Sequence, residues 1–228
     1  QQNGAAPLVN LESGDANFSK FTWNAMARYA FSDDASIYLR AATGYRSGGF
    51  NAGDPTLAGT TTVPAFNEES VTSYEVGLKT EFFDNRLRLN IAAYHNIYED
   101  LAVTTPVLVG GGTFQTRIVN AGKVKYYGIE ADFLLSLTDN FYVDGSAGYV
   151  DVQFKEFNAG QPVNPADPIA NIASVVTPTY TSPFTSNIGL NAVFPIGGNG
   201  VEVKARVSYT HEDEKYSFAS TVSSPFAE

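Results

Sequence analysis

From about residue 18 to residue 212 the chain alternates with period two, the repeat of an extended strand. In Phe21 to Phe31 one side reads Phe21, Trp23, Ala25, Ala27, Tyr29 and Phe31, and the other Thr22, Asn24, Met26, Arg28 and Ala30. Ile37, Leu39, Ala41, Thr43 and Tyr45 are interleaved with Tyr38, Arg40, Ala42, Gly44 and Arg46. Tyr74, Val76, Leu78, Thr80 and Phe82 then face away from Glu75, Lys79 and Glu81, and Leu87, Leu89, Ile91 and Ala93 away from Arg88, Asn90 and Tyr94. The same separation holds in Tyr126 to Leu137, Phe141 to Val150, Asn187 to Phe194 and Val201 to Tyr209. One side of every run is uncharged.

These eight runs are joined by connections that alternate in length. The short ones are Ser32-Asp33-Asp34, Asp84-Asn85, Thr138-Asp139-Asn140 and Pro195 to Gly200, with Phe31, Phe83, Phe141 and Phe194 beside them. The long ones run roughly Ser47 to Glu69, Val103 to Thr113, Lys155 to Pro183 and His211 onward. A soluble sandwich also alternates, but its strands are typically about 5 or 6 residues long. Runs of about 10 residues, short and long turns in strict alternation, and aromatics at strand ends are the pattern of a transmembrane β-barrel. The fold expected is therefore all-β: an antiparallel up-and-down transmembrane barrel wall of about eight strands. The domain limits expected are a loop segment at 1–17, a partial barrel at 18–212 and a loop with a truncated end at 213–228.

Composition supports this reading. No apolar run reaches the roughly 18 residues of a spanning helix. A mean hydropathy of -0.13 is compatible with a barrel, because only alternate residues meet lipid. Thirteen Tyr and 16 Phe against one Trp suit strands with interfacial aromatic girdles. Arg28, Arg40, Arg46, Lys79, Arg88, Lys204 and Arg206 share their side of the sheet with Glu75, Glu81, Glu130, Asp132, Asp144 and Glu202. A lysine or arginine facing lipid near the midplane costs about 2–4 kcal/mol, so that side is assigned to a wet lumen or a plug. The net charge of -10 argues against a nucleic-acid partner.

Absent residue types exclude several chemistries. With no cysteine there is no disulfide framework, thiolate catalysis or zinc-thiolate site. His95 and His211 lie in different hairpins without a triad-like spacing, and each reads as a solvated or interfacial histidine. Gly110-Gly111-Gly112 has no following lysine or helix signal and is not a phosphate cradle. Gly197-Gly198-Asn199-Gly200 reads as a turn. Gly48-Gly49, Gly122 and Gly128 mark sites of positive φ, bending or close backbone approach. Neither an enzyme nor a cofactor is implied.

The phrases Tyr45-Arg46-Ser47-Gly48-Gly49-Phe50-Asn51, Glu69 to Thr80 (ESVTSYEVGLKT), Phe83 to Asn90 (FDNRLRLN) and Asn120-Ala121-Gly122 leading to Gly128-Ile129-Glu130 occur in an order and spacing that resembles the C-terminal half of TonB-dependent outer-membrane receptors, especially those of the siderophore type. The resemblance covers about Phe18 to Tyr209. It implies a 22-stranded barrel, an N-terminal plug filling the lumen, and a short N-terminal segment that engages the TonB energy-transducing protein of the inner membrane. It further implies outer-membrane lipid around the wall and a small-molecule ligand such as a ferric siderophore. In this chain about eight strands and no plug are found, and Ser224-Pro225-Phe226-Ala227-Glu228 lacks a closing strand with a terminal aromatic. A piece truncated at both ends is therefore expected.

If the chain carries a ligand surface, it lies where the charged side meets the long loops. Arg46, Phe50, Asn51, Tyr94 and Tyr98 fit that place: a guanidinium grips an anionic chelate and aromatic rings stack on a flat group. The same residues also fit a structural role, with the tyrosines in the outer girdle and Arg46 paired to a loop carboxylate. Two functions compete: part of an active importer, and a self-contained eight-stranded barrel with a structural or adhesion role, whose interior side chains would fill.

Overall fold

A computed structural model describes residues 15–51, 65–109, 113–158, 171–197 and 200–216. Gly110-Gly111-Gly112, Gly198-Asn199 and Ser224 to Glu228 lie outside the described residues. Among the described residues ten strands follow one another: β1 (Asn24–Ser32), β2 (Ala35–Arg46), β3 (Gly49–Phe50), β4 (Ala65–Phe66), β5 (Glu69–Phe82), β6 (Leu87–Val109), β7 (Thr113–Ser136), β8 (Phe141–Phe154), β9 (Phe184–Ile196) and β10 (Val201–Glu212). Eight of them form one antiparallel sheet in the order β1-β2-β5-β6-β7-β8-β9-β10, and β3 pairs with β4 separately. No helix occurs among the described residues.

The short turns set the register. Ser32 Oγ accepts the Asp34 N–H at 3.2 Å, and Thr138 Oγ1 accepts from Asn140 and Phe141 at 3.2 and 3.1 Å. Phe83, Asp84 and Asn85 all take positive φ, at 58°, 54° and 64°, a left-handed run that lets β5 reverse tightly into β6. Because side chains alternate strictly, these turns fix which face every later residue occupies. The row Leu39, Val76, Ala93, Ile129 runs along one face, and the row Tyr38, Gly77, Ala92, Glu130 along the other.

Among the described residues no second layer covers the uncharged face. Leu39 is 59% exposed, Ile129 49%, Ile188 49% and Val207 75%, values that a soluble sandwich would not leave on its core side. Two aromatic bands bound this face. Phe31, Phe82, Phe83, Phe141 and Phe194 stand at the short-turn end, where Phe141 and Phe194 meet edge to face at 5.4 Å. Trp23, Tyr45, Tyr74, Tyr127, Tyr149 and Tyr209 stand toward the other end, with the His95 ring stacked on Tyr127 at 4.2 Å. His95 thus belongs to the interfacial band. The wall is that of a transmembrane barrel, and its sheet is open, since β1 and β10 share no ladder.

On the charged face, ion pairs tie strands together, in one case across an intervening strand. Arg206 on β10 reaches Asp144 on β8 with both terminal nitrogens, at 2.5 and 2.8 Å, and also Asn191 Oδ1 on the intervening β9 at 2.9 Å. Gly189 makes room for this crossing, because a side chain there would collide with the guanidinium. Arg206→Ala is therefore expected to destabilise the last hairpin modestly, because the pair is partly exposed. Lowered urea resistance of a folded barrel is the measurement. Arg206→Lys recovers only part of the loss, because one ammonium cannot make the forked contact.

One expectation is corrected. The stretch Val103 to Thr113, expected to be a long loop, continues the β6–β7 hairpin to Val109 and Thr113. Its β-branched residues pair from Val103↔Val119 out to Val109↔Thr113. Pro106 is accommodated because β5 last pairs with β6 at Ser70↔Glu99, so the edge beside the proline has no neighbouring ladder. A bulge at Tyr98 to Leu101, with Asp100 at φ 55°, marks where the hairpin leaves the sheet. The short β3–β4 pair is a second feature that the alternation did not anticipate.

Candidate ligand-facing site

The expected site residues separate into two places on the charged face. Tyr94 lies within the wall and the others gather at the outer rim, the end away from the short turns. The Tyr94 ring covers Gly128, just as Tyr38 covers Gly77, and in both places any β-carbon on the glycine would overlap the ring. The two tyrosines help line a recess of about 280 Å³ with Glu75, Lys79, Asn90, Glu130 and Asp132. Tyr38 Oη donates to Glu75 Oε1 at 2.5 Å, Arg40 Nη1 stands 3.8 Å from Glu75 Oε2, and Asn90 donates to Asp132 at 2.8 Å. Glu130 and Asp132 have no ion-pair partner among the described residues, so the recess presents an excess of negative charge to the interior. It suits a cationic group.

At the rim, Arg46 Nη2 is 2.7 Å from Glu69 Oε2 and donates to Ala102 O at 3.2 Å. The same Glu69 oxygen accepts the Ala102 N–H at 2.9 Å. Asn51, just past β3, brackets the backbone of Ile118: its Nδ2 donates to Ile118 O at 2.9 Å and its Oδ1 accepts the Ile118 N–H at 2.8 Å. Phe50 sits in the β3–β4 pair opposite Ala65. Tyr98 meets Tyr126 edge to face at 5.4 Å on the inner side. Tyr94 and Tyr98 are thus on the charged face, and the lipid-facing girdle is built by other tyrosines. Arg46, Asn51 and Tyr98 already have partners within the rim, which sets how each could be presented to a ligand.

Residues outside the expected ligand set complete both places, although Glu75 and Glu130 were already assigned to the charged face. At the rim they are Glu69, Asn67, Asn120 and Tyr126, and in the recess Tyr38, Glu75 and Glu130. Phe157 is 6% exposed and Val124 wholly buried, and Phe157 lies edge to face with Phe154 at 5.2 Å. Asn171 Oδ1 accepts the N–H of Phe157 at 3.0 Å. These contacts tie Phe157, at the start of the long β8–β9 connection, to Phe154 and to Asn171 farther along it.

Beyond the girdle, Lys123 Nζ donates to Glu99 Oε1 at 2.9 Å. The ammonium holds the Glu99 carboxyl below its ordinary range, and the carboxylate raises Lys123 above its own. Because the glutamate's value is depressed by folding, its contribution is complete above the ordinary glutamate value of about 4.3 and is lost as pH falls through the lowered one. Hydrogen exchange of the rim amides, corrected for intrinsic rates, should be flat through neutral pH and rise in acid. Glu99→Gln should remove that acid dependence. The change is small because both side chains are partly exposed and salt screens them.

Comparison with known proteins places this geometry. Residues 1–226 match the family model described as "TonB dependent receptor-like, beta-barrel". Among solved structures, the ferric yersiniabactin uptake receptor FyuA from Yersinia pestis superposes with a TM-score of 0.56 at 18% identity, over 85% of this chain and 26% of that one. The siderophore receptor PiuA from Acinetobacter baumannii gives 0.53 at 18% identity, over 86% and 26%. The copper transporter OprC gives 0.52 at 16% identity, over 74% and 23%. The chain spans about a quarter of the length of each of these structures.

Proposed function

The chain belongs to the TonB-dependent receptor-like β-barrel family of the outer membrane, and from that premise we propose that it forms part of the barrel of an active importer for a scarce nutrient, a ferric siderophore. The observation that carries this reading is the family match over an open wall that is hydrocarbon-facing on one side and charged on the other. A self-contained eight-stranded barrel would need β1 to pair with β10, and the two are at opposite edges of the sheet.

In this reading further strands continue the sheet from β1 and β10 to complete a barrel of about 22 strands, as the family resemblance implies. A plug fills the lumen, and the excess carboxylates of the inner recess face it. Transport is energised through the TonB protein by N-terminal parts of the receptor. Arg46, Phe50, Asn51 and Tyr98 at the rim, with Tyr94 deeper on the same face, are proposed as the surface this chain offers the cargo. The cargo class draws on the neighbours named above, one a ferric yersiniabactin uptake receptor and one a siderophore receptor.

The test is uptake of iron-labelled chelates by cells that carry the full-length receptor or lack it. Energy-dependent accumulation of a ferric siderophore only when the receptor and TonB are both present is the expected result. Equal accumulation without the receptor, across catecholate, hydroxamate and carboxylate chelates, would remove ferric siderophores as the cargo. Arg46→Ala should then weaken chelate binding while the amount of receptor at the cell surface stays normal. Unchanged binding would take Arg46 out of the proposed surface.

A further inference from the structure

Past the bulge at Tyr98 to Leu101, the β6–β7 hairpin stands clear of both neighbours: β5 stops pairing at Glu99 and β8 at Val124. Two arms of about nine residues each, at roughly 3.3 Å per residue, form a lever near 30 Å long. A free two-stranded ribbon of that length is at best marginally stable in water. Something has to hold its base and set its tilt.

The stems of the connection between β2 and β5 are bonded to it. Arg46 and Glu69 grip the Ala102 peptide from both sides. Asn51 brackets Ile118 as a neighbouring strand would, supplying one donor and one acceptor from its side-chain amide. Asn67 N–H donates to Asn120 Oδ1 at 2.6 Å, and Asn120 Nδ2 donates back to Asn67 O at 3.0 Å and to Asp100 O, at the bulge itself, at 2.8 Å. These bonds reach both arms, Ala102 on β6 and Ile118 and Asn120 on β7. The two stems are joined to each other through Gly49↔Phe66 and Phe50↔Ala65.

We propose that the β3–β4 stem pair is a strap that sets the pose of the projecting hairpin, so that the two described stems of the β2–β5 connection and the base of the β6–β7 hairpin form one mechanical unit at the mouth. The amide clasps at Asn51 and Asn120 are its fastenings. A contact made by cargo on either element is then transmitted to the other through backbone hydrogen bonds. This inference concerns the wall alone and holds whatever the cargo is.

The test uses the full-length receptor in lipid bilayers with pairs of spin labels. One pair, Ala65→Cys with Thr116→Cys, spans stem and arm. The other, Thr116→Cys with Ile188→Cys, spans arm and wall. With the clasps intact each pair gives a single narrow distance. In Asn51→Ala/Asn120→Ala both distances lose that single value and spread, while retarded migration on unheated gels shows the barrel folded. An arm-to-wall distance that stays narrow would overturn the proposal, because the hairpin would then be holding its pose unaided. Should the double variant not fold, Asn51→Asp/Asn120→Asp is read by the same two distances, since each aspartate keeps an accepting oxygen for Ile118 or Asn67 and drops the donated bonds. No spreading of the arm-to-wall distance there rejects the strap as well. Both distances are measured without cargo, so failure of the transport reading and failure of the strap are separate results.

Discussion

Ala93→Lys is expected to destabilise the barrel by about 1–3 kcal/mol, the effect of an ammonium facing hydrocarbon between the midplane and the interfacial band of His95, whereas Ala92→Lys is expected to change it by less than about 1 kcal/mol. The two positions are adjacent on β6 and identical in residue type. Ala93 pairs with Val76 on one side and Ile129 on the other, and neither its neighbours nor lipid can solvate a charge there. Ala92 lies between Gly77 and Glu130 and opens on the acidic recess. A lysine there meets a carboxylate that has no ion-pair partner among the described residues. Urea unfolding in lipid vesicles, read by the gel shift of the folded barrel, measures both. Equal tolerance at the two positions, or the reverse order, would show that the face of β6 carrying Ala93 is not against lipid.

That contrast depends on a property readable from the chain alone. Period two assigns Ala92 and Arg88 to one face and Ala93 and Leu89 to the other, and the tight turn at Asp84-Asn85 locks the phase through β5 and β6. Strand order and the lipid-facing set were therefore legible, because each is a local consequence of alternation and turn chemistry. The hairpin beyond Val103 was not, since Pro106 and three consecutive glycines read as a loop. Whether a proline is tolerated in a strand depends on where the neighbouring strand stops, a non-local fact. The asparagine clasps were hidden for the same reason: Asn51 lies 67 residues from Ile118 and Asn67 lies 53 from Asn120. Of the site, Arg46 could be placed at a strand end, but its partner on Ala102 is set by the bulge at Asp100. The acidic recess draws Tyr38, Glu75, Glu130 and Asp132 from three strands, which single-strand patterns do not align.

Gly122→Ala should release the start of the β8–β9 connection while leaving the barrel folded. Gly122 has φ +140°, and a β-carbon there would overlap the backbone carbonyl of Glu156, which no side-chain rotation can relieve. The close approach is maintained by Lys123 N–H donating to Glu156 O at 3.0 Å and Lys155 N–H to Lys123 O at 2.8 Å. Alanine faces both a rare backbone conformation and a backbone collision, together worth about 2–4 kcal/mol. That exceeds what the local contacts of Phe157 can retain, so the chain should separate at Glu156 before the wall below it yields. Trypsin acting on the folded receptor would then cut after Lys155 in Gly122→Ala and not in the parent, with the gel shift of the barrel unchanged. Gly148→Ala on β8 is the control, because a β-carbon there meets only ordinary contacts at 3.6 and 3.7 Å and should leave Lys155 protected. Cleavage in neither variant would mean that β7 and the connection tolerate separation of their backbones, and that Gly122 is not what holds this part of the rim together.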